Sequence, residues 1–165
     1  MGTSTNSKRA NEQWAPNLAR ILEEGYGAGA WHGPDLKAAL ADVSPEIAFW
    51  RPSAGRHNIA EIALHHAYYA RSVRERLSGA PPEPFVLQGD DWFSVPGKTS
   101  LGWPEIQGVV EEQQRRLATL VADIDANQVK PALPASESLG LVLGITCHAV
   151  YHAGQAQLIK RLHVG

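Results

Sequence analysis

Two histidines four residues apart, His148 and His152, stand in the apolar run that ends the chain. On a helix, residues at that spacing lie one above the other on the same face, so their imidazoles can close on one ion. The same spacing also occurs in ordinary core or surface histidine pairs, so the setting has to decide. Leu141, Ile145, His148, His152, Gln155, Ile159 and Leu162 follow steps of three and four, which places both rings on the face expected to be buried. A buried imidazole needs a partner at each ring nitrogen. Two stacked in an apolar stripe obtain one by sharing a cation and handing their other nitrogens to outer acceptors.

A third nitrogen donor is available from an earlier helix. Asn58 is a strong N-cap, Glu61 three residues on completes a capping box, and His57 and Ile62 occupy the staple positions. From that start, Ile59, Ile62, Ala63, His65, His66, Tyr69, Val73 and Leu77 run along about five turns, until Ser78-Gly79-Ala80-Pro81-Pro82 stops the helix. A stripe through 59, 62, 66, 69 and 73 turns His66 inward, whereas one through 58, 62, 65, 69 and 72 turns His65 inward, so periodicity leaves both open.

The elements that must position these residues are helical throughout. Pro16 suits the first turn of a first helix carrying Leu18, Ile21 and Leu22, before Gly25, Gly27 and Gly29 weaken the pattern. Gly33-Pro34-Asp35 opens a short segment from Leu36 to Val43, and Ser44-Pro45-Glu46 caps another that Pro52 stops. Trp103-Pro104-Glu105 opens a third long helix buried through Ile106, Val109, Val110, Gln113, Leu117, Leu120, Val121 and Ile124. Its solvated face carries Glu111, Glu112, Gln114, Arg115 and Arg116. Ser136 caps the last helix after the linker Lys130 to Pro134. Strand alternation is confined to a short candidate near Phe85 to Leu87. The long connection from Gly79 to Gly102 is either a lid or an apolar crossover packed over the bundle end. The sum is an all-α four-helix bundle, with short extra helical segments before the second long helix and a long crossover between the second and third.

Length and charge bound the rest. With 165 residues, one domain is expected at residues 13–165, preceded by a polar tail at residues 1–12. A formal net charge of −2 with interspersed signs, and no basic run, argues against nucleic-acid or membrane-surface partners. One cysteine, Cys147, excludes an intramolecular disulfide and reads as a small buried thiol, and no segment has the flanks of a signal peptide or membrane span. A cytoplasmic protein is the expectation.

Arg51-Pro52 leading to Gly55-Arg56-His57-Asn58-Ile59-Ala60-Glu61-Ile62-Ala63-Leu64-His65, then His148-x-x-x-His152-x-Gly154-Gln155, resembles the DinB-like superfamily with its YfiT-type metal-dependent hydrolases. The likeness spans residues 16 to 163. It implies a four-helix bundle, often dimeric, whose divalent ion is held by His65, His148 and His152, with His57 standing where the family frequently has an aromatic residue. Three neutral nitrogens leave coordination positions open, as in catalytic zinc sites. The implied activity is hydrolysis, or transfer or isomerisation with a low-molecular-weight thiol, on a small-molecule substrate. Zinc is the first expectation for the metal and nickel the second. Gln155, Tyr69 and Glu61 are candidates to support the chemistry, set against an amide tie between helices, packing, and the capping box respectively. Tyr151 shares the choice given for Tyr69, Gly154 reads as a close-packing position, and His32 and His163 as solvated groups. Trp31, Trp92 and Phe93 are the candidates for the mouth of the site. The competing class is a non-catalytic bundle in which metal staples two helices, and its homodimer surface is expected on the first and third long helices.

Overall fold

The computed structural model describes residues 17–27, 29–95 and 101–164, so the expected tail and Pro16 lie outside the described residues. Among the described residues six helices follow in order: α1 Leu18–Glu23, α2 Leu36–Ala41, α3 Pro45–Phe49, α4 Ile59–Ser78, α5 Trp103–Asp125 and α6 Ala135–Val164. No strand is present among the described residues, including at residues 85–87. The long helices α4, α5 and α6 carry the bundle. The short α1 packs against α5 and α6 in the fourth position, while α2 lies on α6 and α3 on α4.

Local chemistry explains most boundaries. Asn17, Asp35, Ser44 and Asn58 each accept a backbone N–H of the following first turn, satisfying donors that a helix start leaves free. The capping box of Asn58 and Glu61 is present. Gly79 ends α4 with φ +70°, where a Cβ would also meet the Ala132 side chain at 2.9 Å. Helix α6 begins at Ala135, one residue before Ser136. Ser136 is therefore not a cap; the first backbone bond runs from Ser138 N–H to Pro134 C=O at 2.9 Å.

The core divides along the bundle axis. One part gathers Leu36, Ile59, Leu64, Ile106, Val110 and Ala153 with Phe93 and Val95 of the crossover; the other gathers Leu22, Leu77, Leu117, Val121, Val142 and Ile145. Gly25 lets α1 approach α6, because a Cβ there would stand 3.0 Å from Thr146 O and 3.1 Å from Ala149 Cβ. Gly154, by contrast, is exposed and a Cβ there would meet nothing within 4 Å, so it is not the close-packing position its place in the motif suggested.

The buried stripe of α6 is also rotated from the expected one. It runs through Ser138, Val142, Ile145, Ala149, His152, Ala153, Ala156 and Ile159, leaving Leu162 52% exposed and Cys147 exposed. The reason is that α6 is apolar almost all round, so period alone cannot choose its inner face. On α5 the buried glutamine is Gln114, 5% exposed, rather than Gln113.

Candidate metal centre

Helices α4 and α6 bring His65, His148 and His152 together, with one ligand atom of each within 4.8 Å of the others. His148 Nε2 lies 3.1 Å from His65 Nε2 and 3.2 Å from His152 Nε2, so the Nε2 atoms converge. Metal–nitrogen bonds of about 2.0–2.1 Å place two nitrogens about 2.9 Å apart at a right angle and about 3.3 Å apart at a tetrahedral one. The observed spacings fall between these. Without a cation, three facing lone pairs repel unless a proton is shared. No fourth histidine, cysteine or carboxylate joins the group among the described residues, which leaves an incomplete shell.

Each Nδ1 has an outer partner that leaves Nε2 free to coordinate. His65 Nδ1 donates to the Asp91 backbone oxygen at 2.9 Å, and His152 Nδ1 to Gln155 Oε1 at 2.6 Å. His148 Nδ1 faces Nδ1 of His66 at 3.3 Å, and His66 Nε2 faces Gln114 Oε1 at 3.3 Å. With the Gln114 oxygen as acceptor, His66 carries its proton on Nε2 and accepts from His148. Such outer bonds set ring orientation and raise ligand basicity. His66 is fully buried and Tyr26 stacks parallel to it at 6.3 Å. It stands behind the trio, not in it.

Electrostatics favour neutral imidazoles. Burial, reinforced by the neighbouring histidines, pushes His148 down to about 3. Burial takes His152 and His66 to about 4, against the pull of Gln155 and Gln114 respectively. His65 is lowered by burial too, opposed by the Asp91 contact. Neutral nitrogen is the form that binds metal.

Within the described part of the crossover, Phe85, Leu87, Trp92, Phe93 and Val95 pack on the core, and Trp92 and Asp91 reach the site. Trp92 stacks on His65 at 3.8 Å and on His57 at 3.7 Å between centroids. Asp91, at φ +62°, accepts from His65 through its backbone and from the Tyr69 hydroxyl at 3.1 Å through its carboxylate. That bond, after burial, keeps the Tyr69 hydroxyl protonated to higher pH. Phe93 is 4% exposed and belongs to the core, and Trp31 is 89% exposed beside His32, so of the aromatic candidates for the mouth only Trp92 reaches the site. Tyr151 is 65% exposed and edges against His152 at 5.2 Å. His163 packs edge-on against Trp50 at 5.3 Å, and His32 bonds the Glu24 carbonyl at 2.8 Å.

Glu61 caps α4 and ties the cover down, but touches none of the trio. Its carboxylate accepts from Arg51 at 2.6 and 2.8 Å, from Val95 N–H at 3.0 Å and from His57 Nδ1 at 3.1 Å. Burial alone would raise its pKa; Arg51, Val95 and His57 together hold it below the usual carboxylate value.

A sequence profile of the DinB superfamily matches residues 30–156, which takes in α4, the crossover and α6 as far as Ala156, and so all three histidines of the trio. The chain belongs to the DinB superfamily. No match is found among curated proteins or among solved structures. The shared architecture is all helical, and members of this superfamily are often metal-binding, with which the histidine cluster here is compatible. Among the described residues, no helix of this DinB-superfamily protein is long and apolar enough to cross a membrane.

Sequence reasoning missed His66's backing role, Gln114, Asp91 and Arg51. The stripe through 59, 62, 66, 69 and 73 carried a signal for His66. Nothing local marked Asp91, whose contact depends on how the crossover folds back.

Proposed function

We propose that this protein is a divalent-metal-dependent enzyme, a hydrolase or thiol-dependent S-transferase, with His65, His148 and His152 as its metal ligands. The observation that carries this reading is the convergence of Nε2 atoms while each Nδ1 keeps an outer partner. Structural zinc sites fill all four positions with protein ligands, whereas catalytic ones leave one open. Zinc suits an all-imidazole set and nickel is the next choice. When bound, such an ion supplies Lewis acidity, lowering the pKa of bound water towards neutrality or holding a thiol as thiolate. The chain's own residues do the positioning. Asp91 and Gln155 orient His65 and His152, Gln114 acts on His148 through His66, and Trp92 shields one face of His65 from water.

The rival reading is a bundle in which metal staples α4 to α6, supported by the low exposure of His65 and His152, 6% and 3%. The test is to load the purified protein with zinc or nickel and assay ester, amide and thiol-acceptor substrates. Turnover abolished by His148→Ala supports the enzyme; tight metal binding without turnover on any class supports the staple.

A homodimer is part of the proposal, through α6 and not through the first and third long helices. Leu143, Tyr151 and Leu158 are 50%, 65% and 58% exposed on one face with Gly140, Gly144 and Cys147. A helix apolar all round is ordinarily buried all round, and a second copy covers this face.

A further inference from the structure

Beside the trio lies a cleft of about 450 Å³ between the turn at residues 52–57, Trp92 and one side of α6. That is within the range of small-molecule sites, about 300–1,000 Å³. Its walls are apolar: Ile62 and Ile159 at the base are buried and Leu162 at the rim is 52% exposed, while Leu158, also at the rim, belongs to the face assigned to the second copy. Among the described residues, no aspartate or glutamate lines it.

Of the polar groups that line it, Gln155, Ser53 and Arg56 offer donors, while His57 spends its Nδ1 on Glu61. Gln155 spends its side-chain oxygen on His152, which leaves its amide N–H groups as the free end. Ser53 also lines the cleft, and its hydroxyl makes no hydrogen bond among the described residues. Arg51 and Arg56 sit close in sequence but differ in role. The Arg51 guanidinium is consumed by Glu61 and also holds the Arg56 carbonyl, fixing the backbone at the rim. The exposed Arg56 side chain has no ion pair or hydrogen bond among the described residues. An uncommitted guanidinium over an apolar cleft attracts an anion and repels a cation.

We propose that this cleft takes a small organic anion with an apolar body, its charge on Arg56 and its apolar part over Ile62, Ile159 and Trp92. Gln155 joins the two sites, its oxygen on a trio histidine and its amide nitrogen on the cleft, so the bound anion lies alongside the trio. That this anion is the enzyme's substrate rests on the metal-enzyme reading; the binding itself does not.

The test uses 8-anilino-1-naphthalenesulfonate as an apolar anion and N-phenyl-1-naphthylamine as its neutral counterpart. Both are titrated into the full chain with chelator and with zinc, following probe and tryptophan emission. One sulfonate per chain, weakened about tenfold or more in Arg56→Gln, largely kept in Arg56→Lys, with the neutral probe unchanged in both, is the expected result. Equal sulfonate binding by Arg56→Gln and the native chain, or several loosely held sulfonates per chain, overturns the proposal. Arg56-dependent binding by a protein that retains no metal supports the cleft while the enzyme reading fails. Metal retention without sulfonate binding overturns the cleft and leaves that reading intact.

Discussion

Replacing Glu61 by alanine should destabilise the fold and loosen the metal centre together. The carboxylate is 2% exposed and receives two bonds from Arg51, one from Val95 N–H and one from His57. Removing it strands the buried Val95 N–H, at about 1–3 kcal/mol. It also breaks an ion pair, at about 3–5 kcal/mol where both charges are buried. The Arg51 side chain is 33% exposed and can turn towards water, which brings the total to the low end, about 3 kcal/mol. For a chain of this size each kcal/mol shifts the melting temperature by about 2–4 °C, so Glu61→Ala should melt roughly 6–12 °C lower. Glu61→Gln keeps an oxygen for Val95 and should lose about half as much. Since Val95 anchors the cover that carries Asp91 and Trp92, zinc affinity should also fall in Glu61→Ala. Calorimetry and zinc titration read both effects. A Glu61→Ala variant melting within about 2 °C of the native protein refutes the reasoning.

Gln114→Leu removes the acceptor that sets the His66 tautomer, so zinc affinity should drop about 10- to 100-fold with stoichiometry unchanged, measured by competition with a chromophoric chelator. In metal-free protein, denaturant stability should fall on acidification from about pH 6.5 towards pH 4, because His66, pushed down to about 4, resists protonation when folded but not when unfolded. The slope from His66 alone is at most about 1.4 kcal/mol per pH unit and should flatten in His66→Gln. Gly25→Ala forces α1 from Thr146 and Ala149 and should cost about 1–3 kcal/mol in a urea titration. On the proposed α6 pairing the native chain should scatter light as a dimer, and Tyr151→Glu with Leu158→Glu should scatter as a folded monomer.

How legible all this was in the sequence depended on distance along the chain. The caps at Asp35, Ser44 and Asn58 are local hydrogen bonds and could be read directly, as could the pairing of His148 with His152. The inner face of α6 could not, since an all-round apolar helix has no preferred side; Leu162 and Cys147 fell outside for that reason. Gln114 looked solvated by its charged neighbours, but it faces α4 and finds His66, 48 residues away. The choice between His65 and His66 was unresolved by period because both are buried, one in the trio and one behind it.

Whether His65, His148 and His152 hold one divalent ion is read by elemental analysis after zinc or nickel loading and desalting. The native protein should keep about one ion per chain, folded His65→Ala and His148→Ala almost none, and His66→Ala should retain it at lower affinity. A native chain that stays folded but keeps neither metal, or a His148→Ala variant that keeps it as tightly, would rule the three histidines out as the metal ligands.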